Sequence, residues 1–170
     1  MKISGKNQSG FTMVELLLYI ALASVMLAVV SGFLGTILGA RVKNQTIAEV
    51  TQQGQRAMSV ITQTIRNAEA INSPATSTSA ALLDLDVITA LDDPTIFDLS
   101  GGALRITEGV QATIGLTSSK VVISDLIFEN VSHGDTSGSV KIQFTISHIN
   151  PAGRQEYDYN KTFYSSASLR

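Results

Sequence analysis

From Leu16 to Ala40 the chain carries no charged residue. An apolar run of about 18 residues or more is long enough for a transmembrane helix. At about 1.5 Å rise per residue, this run crosses a hydrocarbon core of about 30 Å with room for tilt. The stretch from Gly10 to Ala40 therefore organises the rest of the chain. It is preceded by a short polar leader, MKISGKNQSG, which carries Lys2 and Lys6 and ends in Gly10. A secretory signal has a basic start, a shorter apolar region and then a small-residue cleavage site. Here the apolar region is too long for that pattern, so the natural place to cut is before it, between Gly10 and Phe11. Glu15 is the one carboxylate inside the run. Mid-membrane, such a charge costs about 2.5–3.5 kcal/mol; near a helix end it costs less. Two readings follow. Glu15 is an interfacial acid beside a signal anchor, or it is a carboxylate whose cation appears only after processing.

The string Gly10-Phe11-Thr12-Met13-Val14-Glu15-Leu16-Leu17, behind Lys6, resembles the prepilin signature of type IV pilins and type II secretion pseudopilins. The resemblance implies cleavage after Gly10 by a prepilin peptidase and N-methylation of Phe11. It also implies that Glu15 pairs with the new N-terminal amine of a neighbouring subunit, with Thr12 beside it in the assembly motif. Physical chemistry agrees with that pairing. Cutting frees a cation at the start of a helix, where the dipole already favours an acid. A buried carboxylate is tolerable when paired and costly when alone.

The chain has 170 residues, enough for one compact domain and an appendage. Removing the leader and the apolar run leaves Arg41 to Arg170, sufficient for a single small core. The chain has no cysteine, so neither a disulfide nor a thiolate metal site can hold that core, and it departs from the pilins that carry such a staple. Its formal net charge of −2 argues against a general nucleic-acid-binding surface. Lys2 and Lys6 favour a cytoplasmic leader, although Arg41 and Lys43 flank the other side.

Past Arg41 the helical pattern continues. Ile47, Val50, Gly54, Ala57, Ile61, Thr64 and Ala68 recur at three and four, a stripe suited to covering a sheet. Asn72-Ser73-Pro74 reads as the stop. One helix from Phe11 to about Ile71 would be roughly 90 Å long. Strand signals follow. Leu83, Leu85 and Val87 alternate with acids. Ile96 to Leu99, Gly101-Gly102 and Ala103 to Ile106 form a hairpin pattern. Lys120 to Val131 holds one or two strands. Val140, Ile142, Phe144, Ile146 and His148 share a face, and a turn at Asn150 to Gly153 leads into a partner strand from Arg154 to Tyr164. The expectation is an α+β fold: a long N-terminal helix packed on a C-terminal antiparallel sheet. The helix ending, short strands and closing hairpin are similar to minor pilins and J-type minor pseudopilins.

Other chemistry is thinly signposted. His133 lies in a Gly/Ser/Asp loop and His148 at a strand end; no nucleophile elbow, phosphate loop or zinc motif is present. From Ser73 to Asp135 acids outnumber bases nine to two. Asp84, Asp86, Asp92 and Asp93, with Asp98 nearby, are the candidates for Ca²⁺, which favours oxygen ligands. Arg154, Lys161 and Arg170 give the C-terminal hairpin a basic bias, and Tyr157, Tyr159 and Tyr164 could stack on bases, which makes them the candidates for nucleic-acid contact.

The expected layout is a leader over 1–10, a membrane or filament-core helix over 11–40, an amphipathic helix over 41–72 and a β-rich head over 73–170. The resemblance implies a non-enzymatic structural subunit without a cofactor, held in the cytoplasmic membrane as a single-pass precursor and then moved into an extracellular or periplasmic filament. Its partners would be other pilin subunits, the prepilin peptidase and N-methylase, and an inner-membrane assembly platform. The alternatives are a minor pseudopilin of a secretion or DNA-uptake (competence) machine, and a signal-anchored surface domain that binds a ligand without polymerising.

Overall fold

The structure, a computed structural model, describes residues 10–133 and 138–170. One helix, α1 (Met13–Asn67), is followed by nine strands: β1 (Ala68–Ser73), β2 (Ser79–Ala80), β3 (Leu83–Val87), β4 (Thr95–Ser100), β5 (Ala103–Glu108), β6 (Ile114–Gly115), β7 (Val121–Asn130), β8 (Ser139–His148) and β9 (Asn160–Ser168). The chain divides into two compact units, the first ending at Arg41 and the second running Val42–Arg170.

The first unit is the apolar stretch of α1. Its large side chains are exposed along its length, Met13, Leu17, Leu27 and Phe33 among them. The helix is long and apolar enough to cross a membrane. Its hydroxyls are satisfied locally: Ser24 Oγ donates to the Ala21 carbonyl at 2.8 Å, and Thr36 Oγ1 to the Phe33 carbonyl at 2.7 Å. That removes the cost of an unpaired polar group in lipid.

The second unit is the head. Val50, Gly54, Ala57, Ile61 and Ile65 of α1 are buried, as the stripe requires, and so is Thr46, whose hydroxyl donates to the Val42 carbonyl at 3.0 Å. Helix residues share one core with Leu83, Leu85, Phe97 and Leu104 of one sheet and Phe128, Val140, Ile142, Phe144 and Ile146 of another. Each large fully buried side chain contributes about 1.5–3 kcal/mol.

Two sheets stand where one was expected. The first has strand order β1-β3-β4-β5-β6 and the second β2-β7-β8-β9; all pairings are antiparallel. They join where the Ile123 N–H donates to the Gly102 carbonyl at 2.8 Å. Gly101 and Gly102 both have positive φ, as a two-residue hairpin turn demands. Gly102 is fixed twice over, because a Cβ there would lie 2.7 Å from Val122 Cγ1.

Two boundaries differ from expectation. The helix ends at Asn67 rather than near residue 72, and Ala68–Ser73 becomes a strand whose Ala68 and Ile71 face Val87 and Leu85 of β3. Ala and Glu in that segment suit a helix; non-local pairing overrides the preference. The last strand begins at Asn160 rather than Arg154. Residues 154–159 form tight turns, with Tyr157 N–H donating to the Arg154 carbonyl at 3.2 Å. Lys43 holds this segment by donating to the Gln155 and Asp158 carbonyls. The region from Lys120 to Val131 is one strand, β7, bulged between Ser124 and Ile127 around Asp125, which has φ of 52°.

Candidate functional site: the start of the apolar helix

Gly10, Phe11, Thr12 and Glu15 sit together at the N-terminal end of α1. Thr12 is the cap. Its Oγ1 accepts the Glu15 N–H at 3.2 Å, and its carbonyl accepts the Leu16 N–H at 3.1 Å. The Thr-x-x-Glu spacing is thus a helix-start signature in its own right, with the acid in the first turn where the dipole favours it. Phe11 packs edge-on against Tyr19, ring centroids 5.8 Å apart. Both it and Glu15 are exposed. The site therefore offers an accessible backbone at Gly10–Phe11, a fixed helix start and an acid one turn away. Lys2 and Lys6 lie outside the described residues.

The remaining candidates are distributed across the head. Asp86 and Asp93 are hydrogen-bonded to each other. That bond and the Asp93 charge raise the Asp86 carboxyl above its ordinary range, with burial, Glu69 and Asp84 adding to the effect. The other acids have partners: Asp84 accepts from Asn72 at 3.3 Å, Asp92 from Gln111 at 2.9 Å, and Asp93 from the Val87 N–H at 3.3 Å. Asp98 holds Arg105 through two hydrogen bonds, which raises the guanidinium further. Among the described residues no group of three or more acids or histidines is gathered as a metal centre.

The three basic candidates stand at separate points. Arg154 lies 3.3 Å from Glu156 and over the Tyr157 ring; Glu156 is lowered by a bond to its own main chain and then by Arg154. Lys161 lies over the Phe163 ring. Arg170 lines a groove of about 760 Å³ with Arg66, Gln63 and Ser168. Tyr157 stacks on His148, leaving Tyr164 as the openly exposed ring of the hairpin. His148 Nδ1 lies 2.8 Å from the Ile149 carbonyl and Nε2 3.9 Å from Glu49, which also meets Lys120 at 3.5 Å. His148 is thus a packed strand-end residue. His133 is exposed on the loop after β7.

The structure thus presents an exposed Gly10–Phe11 backbone, a helix start capped by Thr12 and a long exposed apolar helix. The prokaryotic N-terminal methylation motif matches residues 5–31, which take in this whole site. The match supports placing the chain with the type IV pilins and pseudopilins, a family of structural subunits, as a pilin-type precursor processed by prepilin peptidase and assembled with other pilin subunits. The apolar helix fits a membrane-anchored precursor. Neither the comparison with curated proteins nor that with solved structures yields a match.

The sequence reading placed Thr12 in the assembly motif and missed its capping bond. The signal was present: Thr followed three residues later by Glu, just before an apolar run. Lys43 was also missed, because the turn it holds is more than a hundred residues away in the chain.

Proposed function

We propose that the protein is a minor subunit of a type IV pilus-like filament, cut after Gly10 and N-methylated on Phe11. The supporting observation is the juxtaposition at the helix start, where Glu15 stands in the first turn beside the bond whose cleavage would create an amine. Cleavage supplies a cation for the acid, which has no ion-pair partner among the described residues, and the pair sets the register between neighbouring helices. The driving force is exchange: apolar contact with lipid becomes apolar contact with other subunits. The heads then form the outer surface.

Mass spectrometry of the native protein tests the first step. The expected product lacks Met1 to Gly10 and carries a methylated Phe11; a retained leader would mean a signal-anchored domain instead. Glu15→Ala tests the second. The variant should still be cleaved yet enter filaments poorly, and normal incorporation would refute the pairing. Recovery of the head on sheared surface fibres marks a pilus subunit, whereas retention within the cell envelope marks a pseudopilin.

A further inference from the structure

We propose that the outer edge of β9 is a self-pairing surface, through which two heads join their four-stranded sheets in antiparallel register about Tyr164. β9 is the terminal strand of its sheet, with β8 as its neighbour. At one end the His148 N–H donates to the Tyr159 carbonyl, and at the other the Leu169 N–H donates to the Gly138 carbonyl. Hydrogen-bonded and outward-facing residues alternate along an antiparallel strand. The odd-numbered residues of β9 are therefore bonded to β8. Asn160, Thr162, Tyr164, Ser166 and Ser168 direct their N–H and C=O groups to the open edge. Among the described residues no hydrogen bond reaches those groups.

Natural edges of this length are usually blunted by proline, a bulge, a covering loop or several lysines. β9 spans nine residues with no proline and no register break against β8, and Lys161 is its one charged residue. Tyr164 is 67% exposed in the middle of the strand. An open edge of this kind is a template for strand addition.

The occupant is a second copy, and charge identifies it. With Tyr164 opposite Tyr164, Thr162 meets Ser166 and Asn160 meets Ser168, all uncharged. Each of these residues lies at an outward-bonding position, so donors meet acceptors along the whole strand. The same register carries Asp158 of one copy towards Arg170 of the other, and repeats that contact at the opposite end. Arg170 lines two grooves with Arg66; no carboxylate side chain lines the larger, and Glu69 is the one carboxylate lining the other. Among the described residues neither arginine nor Asp158 is held in an ion pair.

The pairing has a direction. Lys43 reaches Gln155 and Asp158, a Cβ at Gly54 would strike Phe163, and Arg66 lines the groove with Arg170. The head's helix thus runs alongside β9 in the same sense. A two-fold axis normal to the sheet keeps both helices on one face and reverses their direction. Successive subunits of a polar fibre point the same way, so this contact joins subunits of opposite polarity, as between two fibres. It is an isologous contact that closes on itself rather than propagating.

The absence of cysteine makes a disulfide test clean. Full-length protein in detergent micelles carrying Tyr164→Cys should oxidise to a dimer. Facing residues in a hydrogen-bonded pair are about 5.5 Å apart, within disulfide range. Ser166→Cys or Thr162→Cys alone should give at least about tenfold less dimer, while an equal mixture of the two should restore it. Asp158→Arg should reduce the Tyr164→Cys yield about two- to fivefold, as loss of an exposed ion pair would, and adding Arg170→Asp should recover it. Equal dimer from every single variant, or none from Tyr164→Cys, overturns the pairing. The measurement needs neither cleavage nor fibres, so it stands or falls apart from the filament reading.

Discussion

Gly54→Ala sets two effects against each other. In an exposed helix interior the change stabilises by about 1 kcal/mol, because alanine loses less backbone entropy. Gly54 is buried, however, and a Cβ there would lie 2.9 Å from Phe163 Cδ2 and closer still to Cε2 and Cζ. The ring cannot simply swing aside. It stacks on Phe144 at 5.5 Å and lies beneath Lys161. Overpacking of this kind costs about 1–3 kcal/mol. The net expectation is a loss of up to about 2 kcal/mol, or a fall in melting temperature of up to about 7 °C for a head of this size. Near-UV circular dichroism of the full chain in detergent, in a Tyr19→Phe background, follows Tyr157, Tyr159 and Tyr164 of the head. Phe163→Leu should lower stability on its own. In that background Gly54→Ala should become neutral or stabilising, a coupling of about 1–2 kcal/mol. A stabilised Gly54→Ala in the wild-type background would refute the close approach of helix and β9.

The head carries two further tests. Asp86 binds its proton more tightly in the folded head than in the unfolded chain, chiefly through Asp93. Its stabilising contribution is complete below the ordinary aspartate range and is lost as pH rises through the raised value. Asp93→Asn should therefore raise the melting temperature at neutral pH, with the gain disappearing on acidification; a gain that does not vary with pH would contradict the coupling. Asn130 is buried, donates to the Pro74 carbonyl at 2.8 Å and accepts from the Ser132 N–H and hydroxyl. Asn130→Ala leaves that carbonyl without its partner, and a loss of about 1–3 kcal/mol in a denaturant melt is expected; a neutral effect would mean that water replaces the amide.

Legibility in the sequence followed the range of the interactions. The apolar helix, its Thr12–Glu15 start and the Gly101–Gly102 hairpin are set by neighbours a few residues apart, and each could be read before any coordinates. The alternation of Val140, Ile142, Phe144 and Ile146 marked β8 for the same reason. Where the outcome depends on distant partners, local signals misled. Ala68 continues the helical stripe by spacing, yet β3 claims it. Arg154 to Tyr159 alternates like a strand, yet Lys43 gathers it into turns. The split into two sheets rests on β7, which pairs with β8 and with the two-residue β2 instead of with any strand of the first sheet; nothing local marks that choice.

The same distinction separates the two candidate surfaces. In the proposed function, processing acts on a precursor before it joins any assembly, so its determinants would be complete within a few residues of the cut, as Gly10, Phe11, Thr12 and Glu15 would be. An edge strand is different in kind. Asn160 to Ser168 reads like any half-buried strand with hydroxyls outward, and it is an edge because, among the described residues, no strand other than β8 pairs with it. The motif at residues 5–31 therefore bears on N-terminal processing, while what the head meets depends on topology. If Tyr164 does pair with its own copy, the selective pressure on β9 is to keep proline, bulges and added lysines out of its outward-bonding positions. Substituting Thr162 or Ser166 by proline should then abolish pairing while the head stays folded, because the N–H groups removed are those that β8 does not use.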